Sequence, residues 1–84
     1  MPFSIKIKQS ALKEIAHVAK SRRERIIAAI DELAEQPYLG SALKGERKGL
    51  RRIRVGAYRI VYEVNEGELL ILVVRVAHRQ GVYK

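Results

Sequence analysis

The chain has 84 residues, no cysteine and a formal net charge of +8, with a sequence pI near 10.2. A chain this short forms one domain, predicted to span residues 1–84, and buries only about 60 to 65% of its unfolded surface. The lack of cysteine excludes disulfides, thiolate metal sites and a thiol nucleophile, and it favours a cytoplasmic protein. No apolar segment approaches the roughly 20 residues of a membrane span, so we expect no membrane association.

The N-terminal half predicts one strand and then two helices. Apolar and polar side chains alternate over residues 3–8, the pattern of a half-buried strand. Ser10 is predicted to cap the first helix, which carries an apolar stripe at helical spacing. Ser21 and Glu24 have the spacing of a capping box for the second helix, which Pro37 ends. These segments predict a helical hairpin that follows the strand.

The C-terminal half predicts a connecting loop and then three strands. The loop, residues 36–49, is polar and rich in glycine. Tight corners at Gly56-Ala57 and Glu66-Gly67 join strands predicted at residues 50–55, 58–65 and 68–77. The predicted fold class is therefore α+β: an N-terminal strand, a two-helix hairpin and a three-stranded antiparallel meander, giving a four-stranded sheet with the helices on one face.

Strand parity assigns side chains to the two faces of this sheet, because alternate residues of a strand point opposite ways. The set predicted to face the helices is Ile53, Val55, Tyr58, Ile60, Tyr62, Val64, Leu70, Leu72, Val74 and Val76. The set predicted for the opposite side is Arg52, Arg54, Arg59, Glu63, Arg75 and Arg79, with Leu69, Ile71 and Val73. We call the surface formed by Arg52, Arg54 and Arg59 the arginine face.

The positive charge is concentrated in one segment. Between residues 44 and 59 there are seven basic residues and one acid, a net +6 of the chain's +8. A buried unpaired guanidinium costs several kcal/mol, so these groups are expected in water or against an anion. The segment favours a nucleic acid or an acidic protein as partner. Its basic residues are Lys44, Arg47, Lys48, Arg51, Arg52, Arg54 and Arg59.

Two motifs give the chain a family resemblance: GAYRIVY at residues 56–62 and HRQGVY at residues 78–83. Together with the order of the predicted elements, they make the whole chain resemble the RelE/ParE superfamily of bacterial and archaeal toxins. The resemblance implies a toxin of a toxin–antitoxin pair, bound in a hetero-oligomer by a cognate antitoxin protein. RelE-like members cut messenger RNA in the decoding site of the ribosome without a metal, and no cofactor is implied. ParE-like members inhibit DNA gyrase.

The resemblance also assigns roles to residues. The RelE-like active positions fall on Arg52, Arg54, Arg59, Arg79 and Tyr83. The best-studied relatives have lysines in place of Arg52 and Arg54, and Ser41 occupies about the position of the glutamate that some relatives use as a base. Phosphates of messenger or ribosomal RNA would be bound by Arg52 and Arg54, with further basic residues around them: Lys44, Arg47, Lys48 and Arg51.

Cutting RNA without a metal requires the ribose 2′-hydroxyl to attack its own phosphodiester, while the enzyme stabilises charge and moves protons. Arg59 and Arg79 suit the first task, because a guanidinium binds phosphate oxygens in a bidentate manner. Arginine does not deprotonate in proteins, which leaves His78 and Tyr83 as candidates for proton transfer. Alternatively, Tyr83 stacks on a base or anchors the tail, and His78 is a structural residue on the core side.

The resemblance implies two functions and leaves a third open. The first is a ribosome-dependent endoribonuclease, which the arginines and the terminal tyrosine favour. The second is a ParE-like inhibitor of DNA gyrase without catalysis. The third is a catalytically weakened homologue that only binds RNA. The sequence contains no metal-ligand spacing, no phosphate-binding glycine loop and no serine triad.

Overall fold

The computed structural model describes residues 2–44 and 49–78. The elements in chain order are β1 (Ser4–Ile7), α1 (Gln9–Ala16), α2 (Lys20–Glu35), β2 (Ser41–Ala42), β3 (Leu50–Val55), β4 (Tyr58–Asn65) and β5 (Leu70–His78). The strands form one sheet in the order β1-β5-β4-β3-β2. The β1–β5 pair is parallel and the other pairs are antiparallel. The predicted α+β fold is confirmed, and the sheet has a fifth strand, β2, in the segment predicted as a loop.

The two helices begin without serine caps. The residue before α1 is Lys8 and the residue before α2 is Ala19, and neither helix start has a side-chain capping hydrogen bond. The predicted caps at Ser10 and Ser21 are therefore wrong. At α1 the reason is tertiary: the Lys8 backbone N–H donates to the Val73 carbonyl at 2.9 Å, so the pairing of β1 with β5 fixes where the helix begins.

A β-bulge in β5 changes which of its side chains face the helices. The register with β4 passes from Val61–Arg75 to Tyr62–Val73, so Val74 is an extra residue. On the N-terminal side of the bulge the two faces are therefore the reverse of the prediction: the core takes Ile71 and Val73, and the opposite face takes Leu70 and Leu72. An inserted residue inverts a period-two pattern, which explains why parity alone gave the wrong faces.

The hydrophobic core lies between the helices and one face of the sheet. Its largest fully buried side chains are Ile26, Ile30 and Leu33 of α2, Ile60 and Tyr62 of β4, and Ile71 and Val73 of β5. Burying each such aliphatic side chain contributes about 1.5–3 kcal/mol to folding. The core therefore occupies the helix side and leaves the opposite face of β3 and β4 available for charged residues. Neither described helix is long and apolar enough to cross a membrane.

Helix α1 covers the edge of β5 that β1 does not reach. Strand β1 pairs only with the first four residues of β5. Beyond them the Glu14 carboxylate accepts hydrogen bonds from the Val76 backbone N–H at 2.8 Å and from the Arg75 Nε at 3.1 Å. Covering an open edge in this way prevents it from pairing with another strand. The Arg75 guanidinium, predicted for the face opposite the helices, is thus paired with a helix residue.

Candidate nucleic-acid interface

The register of β3 and β4 brings three arginines together on the face away from the helices. Arg54 lies directly opposite Arg59, and Arg52 lies opposite Val61. The alternating residue Ile53 is buried in the core, so the arginines point the other way. Directly opposed residues of an antiparallel pair have Cβ atoms about 4.5–5.5 Å apart, and diagonal neighbours lie about 7–8 Å apart. Each guanidinium can therefore reach the same small anion.

The floor of the arginine face is closed to water. Val61 and Ala77 lie on this face, and their exposed fractions are only 6% and 8%. Ala77 is directly opposite Arg59, whose Nε atom is also buried, while Arg54 is exposed. A charge at a partly desolvated surface interacts more strongly with a counter-ion than it does in bulk water. The arginine face therefore combines buried apolar residues, Val61 and Ala77, with an exposed arginine, Arg54.

Two arginines of the arginine face have no ionic partner among the described residues. Arg52 and Arg54 form no ion pair with any residue in the ranges 2–44 and 49–78. Like charges directly opposite each other destabilise a sheet. A bound phosphate would relieve the repulsion and would accept bidentate hydrogen bonds from the guanidinium groups. The arrangement is that of an anion-binding surface.

A buried hydrogen-bonded network holds the segment that leads into β2. The Tyr62 hydroxyl donates to the Pro37 carbonyl at 2.8 Å and accepts a hydrogen bond from the Gly40 N–H at 3.0 Å. This anchors β2, which places Ser41 directly opposite Arg52 at the edge of the sheet. Sequence reasoning missed the network, because Tyr62 is separated from Gly40 by 22 positions and from Pro37 by 25, and no local pattern marks contacts over such distances in the chain.

Arg51 belongs to this network and lies on the opposite side of β3 from the arginine face. Its Nε and Nη2 atoms donate to the Gly40 carbonyl at 3.0 and 2.6 Å, and its guanidinium carbon lies 5.1 Å from the centroid of the Tyr38 ring. The Tyr38 hydroxyl donates to the Glu66 carboxylate. That hydrogen bond raises the pKa of Tyr38 above its ordinary value, while the positive charge of Arg51 lowers it. The Arg51 guanidinium is thus bound by the protein's own Gly40 carbonyl and is not part of the arginine face.

His78 lies on the helix side of the sheet. It is opposite Tyr58 in the register, and the two rings meet edge to face with centroids 5.2 Å apart. Since Tyr58 packs against the core, the imidazole and the arginine face are on opposite sides of the sheet. The fold therefore does not bring His78 together with Arg59. Among the described residues, no group of three His, Asp or Glu side chains could hold a metal ion.

The remaining predicted site residues divide into two groups. Lys44 is described and is exposed beyond β2. Arg47, Lys48, Arg79 and Tyr83 lie outside the described residues. The roles predicted for these four residues stay predictions.

Solved structures of toxin–antitoxin complexes contain chains with this fold. A chain of the RelBE2 complex from Mycobacterium tuberculosis is 22% identical with a TM-score of 0.87, over 94% of this chain and 100% of that one. A chain of the RelB–RelE complex from Methanococcus jannaschii is 32% identical with a TM-score of 0.76, over 93% and 94% of the two chains. The fold is therefore that of the RelE-type toxins.

Sequence comparison shows the family. The toxin RelG of Mycobacterium tuberculosis is 27% identical over 90 aligned positions, which cover 100% of this chain and 99% of the relative. The family model described as the ParE toxin of the type II toxin–antitoxin system parDE matches residues 5–83. The chain belongs to this family, and it is a toxin of a toxin–antitoxin pair in the RelE/ParE superfamily, as the sequence predicted.

Proposed function

We propose that this toxin is a ribosome-dependent endoribonuclease that cuts messenger RNA in the cytoplasm. The observation that carries the proposal is the direct opposition of Arg54 and Arg59, with Arg52 beside them, above a floor closed to water. Two guanidinium groups facing each other across a strand pair offer donors to both nonbridging oxygens of one phosphate. The similarity to RelE-type toxins supports the same reading.

In the proposed reaction the ribose 2′-oxygen attacks the adjacent phosphorus, and the bond from phosphorus to the 5′-oxygen breaks. The products are a cyclic phosphate and a free 5′-hydroxyl, so one proton leaves the 2′-oxygen and one reaches the 5′-oxygen. Arg59 and Arg54 stabilise the charge on the nonbridging oxygens, and Arg52 holds a neighbouring phosphate. Arg79 and Tyr83 complete the proposed site. Because His78 lies across the sheet, the proposal assigns proton donation to the 5′-oxygen to the Tyr83 phenol, while the 2′-hydroxyl proton passes to solvent water and a proton from water restores the phenol.

The test is a translation assay with purified components, in which new 3′ ends are mapped on the message. We expect cuts only on ribosome-bound message. Removing one charge-stabilising donor should lower the rate by about 10²–10³-fold, so Arg59→Ala and Arg54→Ala should each do so. Lys20→Gln removes an exposed cation away from the arginine face and should cut normally. If no new 3′ ends form, or if both alanine variants cut at the native rate, the proposal is wrong.

A second candidate function, inhibition of DNA gyrase, is favoured by one observation: the matching family model is that of the ParE toxins. In this case the arginine face would contact the gyrase–DNA complex without cutting a strand. A supercoiling assay separates the two functions. Stalled supercoiling together with intact ribosome-bound message would favour gyrase as the target.

We also propose a cognate antitoxin as partner, because the similar structures include several toxin–antitoxin complexes. Strand β2 pairs with only two residues of β3, and a groove of about 420 Å³ runs beside β3 between Arg52, Arg54, Glu32 and the exposed Leu39. An acidic, amphipathic segment would suit this groove and would cover the adjacent arginines. Co-expression with a small neighbouring open reading frame should suppress toxicity, and the two proteins should copurify. The lack of such a frame would contradict this part.

A further inference from the structure

A second basic cavity lies on the helix side of the sheet, and we call it the hairpin cavity. It has a volume of about 330 Å³ and is lined by Arg22, Arg25, Gly56, Ala57, Tyr58 and His78. One wall is α2, and the other is the two-residue turn between β3 and β4. The first turn residue, Gly56, has a φ of 60°, as a type II′ turn requires. None of the described lining side chains is acidic.

The two arginines of the hairpin cavity lie where the local electrostatic interactions disfavour positive charge. Arg22 and Arg25 are three residues apart on α2, a spacing at which side chains are neighbours and like charges repel. Arg22 also lies in the first turn of the helix, where the backbone dipole disfavours a cation. Both side chains are exposed, and neither forms an ion pair with a residue of the described ranges. A bound anion would relieve both repulsions.

The rest of the lining favours a nucleotide over a carboxylate as the ligand. Tyr58 and His78 place two rings beside the arginines, and such mixtures of aromatic and basic side chains recognise single-stranded RNA by stacking and phosphate contacts. Small-molecule sites have volumes of about 300–1,000 Å³, so the hairpin cavity is large enough for a phosphate with its sugar.

We propose that the hairpin cavity binds a phosphate group of RNA through Arg22 and Arg25. The inference rests on the proposed function and extends it. The hairpin cavity and the arginine face lie on opposite sides of the same β3–β4 hairpin, so RNA would contact this hairpin from both sides. The phosphate belongs either to the message or to ribosomal RNA, and the experiment separates these sources.

The first measurement tests the site without RNA. Inorganic phosphate is titrated into the full-length protein while backbone amide shifts are followed by NMR. Gly56 and Ala57 should shift in the native protein and should not shift in the double variant Arg22→Gln, Arg25→Gln. The matched control, Lys20→Gln with Arg23→Gln, removes two cations from the same end of α2 without touching the hairpin cavity, and it should behave as the native protein. Absence of a shift in the native protein overturns the proposal.

The second measurement identifies the ligand by its salt dependence. Binding is measured to a labelled single-stranded RNA, to small ribosomal subunits without message, and to polyglutamate. Each phosphate neutralised on a single strand contributes about 0.7 to the slope of log K against log salt, so losing the one phosphate held by Arg22 and Arg25 should lower the slope by about 0.7. If the double variant has a lower slope than the native protein for the oligonucleotide, the phosphate belongs to the message. If the slope is lower for the ribosomal subunits, the phosphate belongs to ribosomal RNA. Unchanged RNA binding, with or without loss of polyglutamate binding, overturns the proposal.

The two proposals fail in different ways. If native protein cuts no message but phosphate shifts Gly56, and the double variant loses RNA binding, only the endoribonuclease proposal fails. If the message is cut and the double variant binds phosphate, RNA and subunits as the native protein does, only the proposal that the hairpin cavity binds RNA fails. Circular dichroism of each variant checks that these substitutions leave the fold intact.

Discussion

Arg54 and Arg59 lie directly opposite each other across the β3–β4 pair, and neither has an acidic residue opposite it in the strand register. A directly opposed pair of like charges is unfavourable in a sheet. The chain tolerates this repulsion at a face whose floor is closed to water. The opposition of two like charges is therefore a cost to the sheet that a bound anion would lower, which is a common conflict between stability and function.

The first prediction follows from that repulsion. Arg54→Gln should raise the free energy of unfolding by about 0.2–1 kcal/mol, the usual size of a cross-strand pair effect. Urea unfolding at low salt measures it, and added salt should shrink the gain because it screens the charges. Arg52→Gln is the matched control, since Arg52 lies opposite the uncharged Val61 and should give a smaller gain. A loss of stability in Arg54→Gln at low salt would contradict the argument.

The second prediction concerns Gly40, whose backbone is enclosed by the network under β2. A Cβ atom added there would lie 2.5 Å from the Arg52 carbonyl and 2.8 Å from the Tyr62 hydroxyl. Gly40→Ala should therefore destabilise the protein by about 1–3 kcal/mol, as overpacking of a filled interior does. In urea unfolding, Gly67→Ala should show no such loss, because its nearest neighbour would be 3.5 Å away. Equal stabilities of the two variants would contradict the prediction, because they would show that the atoms around Gly40 move apart at no cost in stability.

The third prediction concerns the edge of β5. Glu14→Ala leaves the Val76 N–H without its acceptor and removes the partner of Arg75, so we expect a loss of about 1–3 kcal/mol. Faster amide hydrogen exchange at Val76 should accompany it. Glu14→Gln keeps an oxygen acceptor and should retain most of the protection at Val76. Slow exchange at Val76 in the alanine variant would mean that Glu14 does not protect the edge.

The fourth prediction is a pH dependence. The hydrogen bond to Glu66 raises the pKa of Tyr38 above 10.0, so the contact stabilises the fold below pH 10 and is lost as the pH rises through the folded-state pKa. Glu66→Gln should lower the pKa of Tyr38, and Arg51→Gln should raise it, since Arg51 acts in the opposite direction. Tyrosine ring NMR signals followed between neutral and alkaline pH measure both. A Tyr38 pKa that does not respond to Glu66→Gln would exclude the contact as the cause.

Much of the fold could be predicted because it depends on local patterns. Alternation in β3 and β4 placed Arg52, Arg54 and Arg59 on one face, and the two-residue Gly56-Ala57 turn fixed their register. The two helices and the hairpin between them followed from apolar spacing. Exact helix starts did not, because strand pairing decided where α1 begins.

By itself, the sequence determined the element order apart from β2, the concentration of positive charge and the arginine face, since each depends on residues close together in the chain. The tertiary structure alone decided that β1 pairs in parallel with β5, that a bulge at Val74 inverts the faces of β5, and that His78 lies against Tyr58 on the helix side. It also decided that Arg51 binds the Gly40 carbonyl. These features depend on hydrogen bonds and packing between distant segments, and no local periodicity encodes them.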